Sequence, residues 1–185
     1  MSGTVELKTG RLLLRGHQSE DAAVLFEKFG SDPQMFEYSG WNPYQTFAMA
    51  RETVESFIKS CDDPNFYGWG IVYKGNLIGT IGAYDYDADE SRIEIGMSIE
   101  RASWGQGFAT EALTAVLHYL TEHENIQTVS AWCVSDNIGS RKALERAGMK
   151  RVGSEMGALE INGQTYDKLI FEYAMQQRLQ EAPAW

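Results

Sequence analysis

Residues 104–112 read Trp104-Gly105-Gln106-Gly107-Phe108-Ala109-Thr110-Glu111-Ala112. The two glycines allow a close backbone approach, and from Ala109 onward apolar residues recur at the spacing of one helix face. The first N–H groups of a helix have no partner within it, and the dipole adds about half a positive charge at that end. The stretch therefore predicts a turn and helix start suited to a phosphate, although a purely structural turn has the same pattern.

The segments before this stretch have the patterns of antiparallel strands. Residues 67–73 and 77–86 are rich in β-branched and aromatic residues and flank Lys74-Gly75-Asn76, which predicts a hairpin. Residues 85–91 are rich in acidic residues and predict a turn. Between 92 and 99, apolar and polar residues alternate with the period of a strand. Further upstream, residues 12–14 predict a short buried strand.

Helices are predicted at 22–29, with Ser19 or Asp21 as the cap, and at 46–60. Downstream, we expect a strand at 129–134, a helix from Asn137 to 147 ended by Gly148, and strands near 149–152 and 169–173. Strands grouped early and alternating with helices later predict an α/β (α+β) fold. Its central sheet would be mixed, mostly antiparallel, and flanked by helices on both faces.

Composition restricts the class of protein. The chain has 185 residues, is 43% apolar and shows no internal repeat or linker, so we expect one folded domain over 1–185. A net charge of −10 argues against nucleic-acid binding. We expect a cytoplasmic protein without a membrane partner, because neither a spanning run nor a signal peptide is evident. The two cysteines lack metal-ligand spacing, and no metal is expected.

The residues that carry a family resemblance lie in strand 92–99, in 104–112 and in the segments that follow. Downstream are strand 129–134, Asn137-Ile138-Gly139-Ser140 and Gly148-Met149, and upstream is the first predicted strand with its flanks, Gly10-Arg11-Leu12-Leu13-Leu14-Arg15. In this combination the sequence resembles the GNAT superfamily of N-acetyltransferases. It looks most like the branch of the ribosomal-protein N-terminal acetyltransferases (RimJ/RimL-like).

The resemblance implies an acetyl-coenzyme A site as the donor side. It implies that the coenzyme's pyrophosphate lies on Gly105, Gln106, Gly107, Phe108, Ala109 and Thr110. Main-chain groups of Met97 and Ile99 would pair with the pantetheine arm, and Asn137 would reach the coenzyme. The resemblance also places Trp104 in this site, at a position where the superfamily at large often has Arg or Gln.

Catalytic candidates come from the same comparison. Glu94 lies on the polar side of strand 92–99, where the superfamily often places a base, although an exposed strand glutamate is the alternative. Ser140 matches a serine whose hydroxyl would bind the coenzyme sulfur, although it could instead serve the helix start. Leu144 occupies the position where many members have a tyrosine that acts as the general acid. Tyr166 and Tyr173 could take over this role.

The acceptor side is predicted from loop-like aromatic sequence. Tyr38, Trp41 and Tyr44 are candidates to line a groove, with packing as the alternative. The expected activity transfers acetyl from acetyl-CoA to a primary amine, which is a protein or peptide N-terminus, a ribosomal protein among them, or a small molecule. The protein would act as a monomer or homodimer. The alternative is a coenzyme-binding module without turnover. A dinucleotide-binding site is disfavoured, because residues 105–109 lack the glycine spacing that such a site requires.

Overall fold

The computed structural model describes residues 3–39 and 44–175. The strands, in chain order, are β1 (Leu7–Lys8), β2 (Leu12–Gly16), β3 (Tyr67–Tyr73), β4 (Asn76–Asp87), β5 (Arg92–Ile99), β6 (Thr128–Val134), β7 (Lys150–Ile161) and β8 (Gln164–Ala174). The helices are α1 (Asp21–Val24, continued by π-helical Leu25–Gly30), α2 (Phe47–Ser60), α3 (Phe108–His118, continued by π-helical Tyr119–His123) and α4 (Ile138–Arg146). Short 3₁₀ turns lie at Pro33–Met35 and Arg101–Ser103.

The strands form one 8-stranded sheet in the order β1-β2-β3-β4-β5-β6-β8-β7. Within the described residues, neighbouring strands are antiparallel except for β5 and β6, which are parallel. A parallel pair needs a crossover, and α3 supplies it between these two strands. The predicted mixed, mostly antiparallel sheet is confirmed.

Helices cover both faces of the sheet, as predicted. On one face α3 and α4 bury the main core, where Phe108, Leu117 and Leu144 meet apolar residues of the strands such as Ile93 and Phe171. On the other face α1 and α2 pack over a smaller cluster centred on Leu25, Val54 and Val72. In the described ranges, no helix is both long enough and apolar enough to cross a membrane.

Several predicted elements differ in their bounds. The first helix has Glu20 as its N-cap without a side-chain cap bond, so neither Ser19 nor Asp21 caps it. Asp85, which the predicted strand 77–86 and the predicted turn 85–91 share, belongs to β4, where it adopts φ 55, and the strand continues to Asp87. The last two strands are much longer than predicted because Asn162-Gly163, with φ values of 52 and 75, joins them as a tight hairpin.

Asp21 instead anchors α1 to β2. It is 3% exposed, and its carboxylate accepts hydrogen bonds from the Arg15 guanidinium at 2.9 and 2.7 Å. The backbone N–H of Gln18 donates to it at 2.9 Å. Burial alone would raise the pKa of Asp21, but these hydrogen bonds outweigh burial and lower it well below its usual range.

The Asp21→Asn variant is expected to lose about 3 kcal/mol of unfolding free energy at pH 7, because it leaves a largely buried guanidinium unpaired. Since the folded pKa is lowered, the contribution is complete above the unfolded-state pKa of about 3.9 and declines as the pH falls below it. Urea unfolding should show the difference between variant and parent shrinking by about 1 kcal/mol at pH 3. Exposed Asp62→Asn is the control, and an undiminished difference at pH 3 would contradict the assignment.

Candidate active site

A gap opens in the sheet between β5 and β6. The parallel pairing of the two strands runs from Arg92 to Glu94 on β5, and its last pair is Glu94 with Ser130. Beyond this point β5 stays with β4 as far as Ile99, whereas β6 stays with β8 as far as Val134. The carboxyl-terminal halves of the two strands therefore separate, and a ligand can enter between them.

Main-chain groups of β5 point into this gap. Glu100 N–H donates to Ile78 O at 2.8 Å, next to the paired residues Gly79 and Ile99. In an antiparallel ladder this makes Ile99 a non-hydrogen-bonded position toward β4, and alternation gives Met97 the same role. The N–H and C=O groups of both residues therefore face the gap.

Two helix N-termini flank the gap, and they begin differently. α4 begins at Asn137, whose Oδ1 accepts from Ser140 N–H at 3.0 Å, so this helix carries its own cap. α3 begins at Gly107, which has φ 80 and no side chain with which to cap. The N–H groups of its first turn, which includes Ala109 and Thr110, are therefore available to an anion.

The turn before α3 is held by its own side chains. Gly105 adopts φ 74, a conformation that side chains disfavour. Trp104 is 49% exposed, but its indole Nε1–H donates to Ile99 O at 2.6 Å. Gln106 Nε2 donates to Ala102 O at 3.1 Å, and Phe108 is buried beneath the turn. These contacts fix the backbone while leaving its amides exposed.

Glu94 lies where the gap begins, on the sheet face opposite α3. Its Oε1 accepts a hydrogen bond from the indole Nε1–H of Trp132 at 3.0 Å, across the two separating strands. Tyr84 is its register partner on β4. The Tyr84 hydroxyl lies above Gly96, where a Cβ would be only 2.6 Å away, so the glycine makes room for the phenol.

Burial, together with the nearby carboxylates of Glu94 and Asp85, raises the pKa of Tyr84 to about 12. The phenol therefore stays protonated at neutral pH. Neither Tyr84 nor Trp132 was predicted from the sequence as a neighbour of the carboxylate. Tyr84 could have been found from the alternation of β4, which places it on the polar face, but Trp132 depends on the parallel register.

Ser140 lies half-buried in the first turn of α4, beyond the end of β6. Glu94 and Ser140 thus approach the gap from opposite faces of the sheet. Leu144, one turn further along α4, is buried in the core. Of the possible substitute acids, Tyr166 donates its hydroxyl to Gln164 Oε1, and Tyr173 packs against Gly148.

The aromatic candidates for the acceptor groove that the structure describes, Tyr38 and Tyr44, lie in different surroundings. Tyr38 makes an edge-to-face contact with Tyr166, with ring centroids 5.8 Å apart. Tyr44 packs between α1 and α2, so close to Gly30 that a Cβ there would lie 2.8 Å away, and packing accounts for its position. Trp41 lies outside the described residues. Next to Tyr166 is an open cavity of about 390 Å³, lined by Ser135, Asp136, Gln164, Thr165, Tyr166 and Asp167.

Among the residues that the structure describes, no group of three His, Cys, Asp or Glu side chains lies where it could hold a metal ion. Both described cysteines are free thiols; Cys133 is buried, whereas Cys61 is only partly buried.

Comparison with known proteins assigns the family. Residues 11–150 match the model of the acetyltransferase (GNAT) domain. The uncharacterized N-acetyltransferase YoaA of Bacillus subtilis is 28% identical over 167 residues, which cover 89% of this chain and 94% of that protein. A GNAT-family acetyltransferase from Bacillus anthracis superposes with a TM-score of 0.83 at 21% identity, over 93% of this chain and 99% of that one.

A further solved structure is RimL, the ribosomal L7/L12 α-N-protein acetyltransferase, in complex with coenzyme A. It has a TM-score of 0.83 at 18% identity and covers 92% of this chain and 98% of that one. At such identity the likeness concerns the fold. The chain belongs to the GNAT family of acetyltransferases, enzymes that use acetyl-coenzyme A as the acyl donor.

Proposed function

We propose that the gap between β5 and β6 holds acetyl-coenzyme A, with its pyrophosphate on residues 105–110 and its pantetheine arm along Met97 and Ile99. The observation that carries this proposal is the uncapped start of α3 beside a strand edge whose main-chain groups face the gap. Trp104 occupies one lone pair of Ile99 O, which leaves the Ile99 N–H and both main-chain groups of Met97 for the arm. Asn137 can contribute its Nδ2 amide, because its cap uses only Oδ1.

We infer that the reaction takes place where the gap begins. The amine nitrogen attacks the thioester carbonyl carbon, a C–N bond forms, and the C–S bond breaks to release the thiolate of coenzyme A. The proton lost by the amine goes to Glu94, directly or through a water molecule. The Ser140 hydroxyl donates a hydrogen bond to the departing sulfur. Trp132 holds the Glu94 carboxylate in place through its indole N–H.

The Ser140→Ala variant is expected to lower kcat by about tenfold, because the thiolate loses a hydrogen bond as charge develops. Raising the pH should recover little of this loss, since the defect lies at the leaving group. Steady-state rates of thiol release between pH 6.5 and 9 measure both effects. Ser19→Ala, which changes an exposed serine ahead of α1, is the control. A full rate in the Ser140 variant would remove this role.

The acceptor is a primary amine that enters from the side of Tyr38 and Tyr166. The cavity beside Tyr166 carries the carboxylates of Asp136 and Asp167, which favour a cationic amine. The fold is shared with RimL, which acts on a protein N-terminus, so the N-terminus of a protein or peptide is one acceptor class that we propose. A small-molecule amine is the other.

The test of this activity is a panel of amines offered with acetyl-CoA. It should include peptides that differ in their first residue, a polyamine, an aminoglycoside and, for each, an N-acetylated form that has no free amine. Thiol release and mass of the product are measured together. We expect stoichiometric N-acetylation of at least one primary amine and none of its blocked form. Tight coenzyme binding without release for any amine would instead indicate a module without turnover.

A further inference from the structure

Arg11, immediately before β2, reaches across to the turn that precedes α3. Its Nη1–H donates to Gln106 O at 3.0 Å, and its guanidinium carbon lies 4.5 Å from the centre of the Phe108 ring. A Cβ placed on Gly107 would be 3.5 Å from Nη2. One side chain from a distant part of the sequence thus contacts Gln106 and Phe108 of the proposed phosphate-binding turn and lies beside Gly107.

Glu111, in the first turn of α3, holds Arg11 in this position. Its Oε2 accepts from Arg11 Nε at 2.7 Å, and its Oε1 accepts from Arg11 N–H at 2.9 Å and from Thr9 Oγ1 at 2.5 Å. Burial alone would raise the pKa of Glu111, but the hydrogen bonds from Thr9 and Arg11 lower it. The ion pair therefore persists at neutral pH, and the guanidinium cannot easily turn away.

The contact with Gln106 O fixes the orientation of a peptide group. In a trans peptide the C=O of Gln106 and the N–H of Gly107 point in opposite directions. While Arg11 binds the carbonyl oxygen, the Gly107 N–H must point away from Arg11. A peptide next to a glycine flips easily, and a flip here would turn the carbonyl oxygen, with its partial negative charge, to the side now occupied by the N–H.

We propose that Arg11 is a positioning residue for the coenzyme: it keeps the Gln106–Gly107 peptide in the orientation in which the turn presents N–H groups to the pyrophosphate. The charge of Arg11 is balanced by Glu111, so its effect is on geometry rather than on net charge. The inference rests on the proposed coenzyme site and adds to it the residue that precedes β2. The roles proposed for the other residues of the gap do not depend on this inference.

The test compares a ligand that has the pyrophosphate with one that lacks it. The Arg11→Gln variant should raise the Kd of coenzyme A about fivefold by calorimetry, while the Kd of pantetheine, measured by NMR titration, changes less than about twofold. Arg11→Lys should recover part of the loss, because it can still reach one acceptor. Arg51→Gln, which breaks an exposed ion pair with Glu55 on α2, is the matched control.

Three results would overturn the proposal. These are an unchanged Kd for coenzyme A in folded Arg11→Gln, an equal loss for both ligands, and no difference between the Gln and Lys variants. If Arg11→Gln does not fold, Glu111→Gln loosens the same guanidinium and must show the same selective loss of coenzyme A binding. The Gly107→Val variant tests the coenzyme site independently of the role of Arg11. If Gly107→Val weakens coenzyme A binding and Arg11→Gln does not, the turn remains the proposed pyrophosphate site and only the role of Arg11 is wrong.

Discussion

The Glu94→Gln variant is expected to lower kcat by about a hundredfold at neutral pH, within the usual range for the loss of a general base. The amide cannot take the proton of the attacking amine, whereas it can still accept from the Trp132 indole, so the site should keep its shape. The rate should rise steeply with pH, because the free amine becomes more abundant as it loses its own proton. Calorimetry should give an unchanged Kd for coenzyme A.

The control for this variant is Glu160→Gln, which changes an exposed glutamate on β7. It should leave both kcat and the pH profile unchanged. If Glu94→Gln keeps full turnover over the pH range, the base is water or another residue. The coenzyme site would then stand without a catalytic role for this carboxylate.

The Gly107→Val variant is expected to weaken coenzyme A binding by at least tenfold, or about 1.4 kcal/mol. The φ of 80 at this position is strained for any residue with a Cβ and worse for a β-branched one. The branches of valine would also press on Arg11, since the Cβ alone would already be 3.5 Å from Nη2. The turn would have to rearrange, and its N–H groups would lose their common direction.

Gly163→Val is the matched control. Gly163 has φ 75 and open space where a Cβ would lie, but it belongs to the β7–β8 hairpin. It should lose comparable stability in thermal unfolding and keep its affinity for coenzyme A. Equal affinities of the two folded variants for coenzyme A would show that the turn at Gly107 is not the pyrophosphate site.

The parts of the site that follow from local sequence were predictable. Gly105 and Gly107 precede a long amphipathic face, so the exposed helix start could be located from the sequence. The Asn137 cap and the Gly148 stop of α4 follow from the same kind of local chemistry. Fold class was also accessible, because strands of period two precede helices of period 3.6.

The remaining features depend on contacts between distant segments. The gap exists because β5 and β6 cease to pair after Glu94, and no local pattern marks that point. Trp132 meets Glu94 only through the parallel register, and Arg11 meets residues 106–111 only because β2 lies near the start of α3. The length of the last hairpin differs for another reason, because Asn162-Gly163 is a local turn signal that the sequence itself contains.

A crystal structure of the protein with coenzyme A would show directly whether the gap between β5 and β6 is the coenzyme site. We predict that the pantetheine arm lies between β5 and β6, that it forms main-chain hydrogen bonds with Met97, and that the pyrophosphate accepts from N–H groups of residues 107–110. The sulfur should lie near Ser140. Coenzyme A bound elsewhere, with the gap between β5 and β6 empty, would contradict the proposed site.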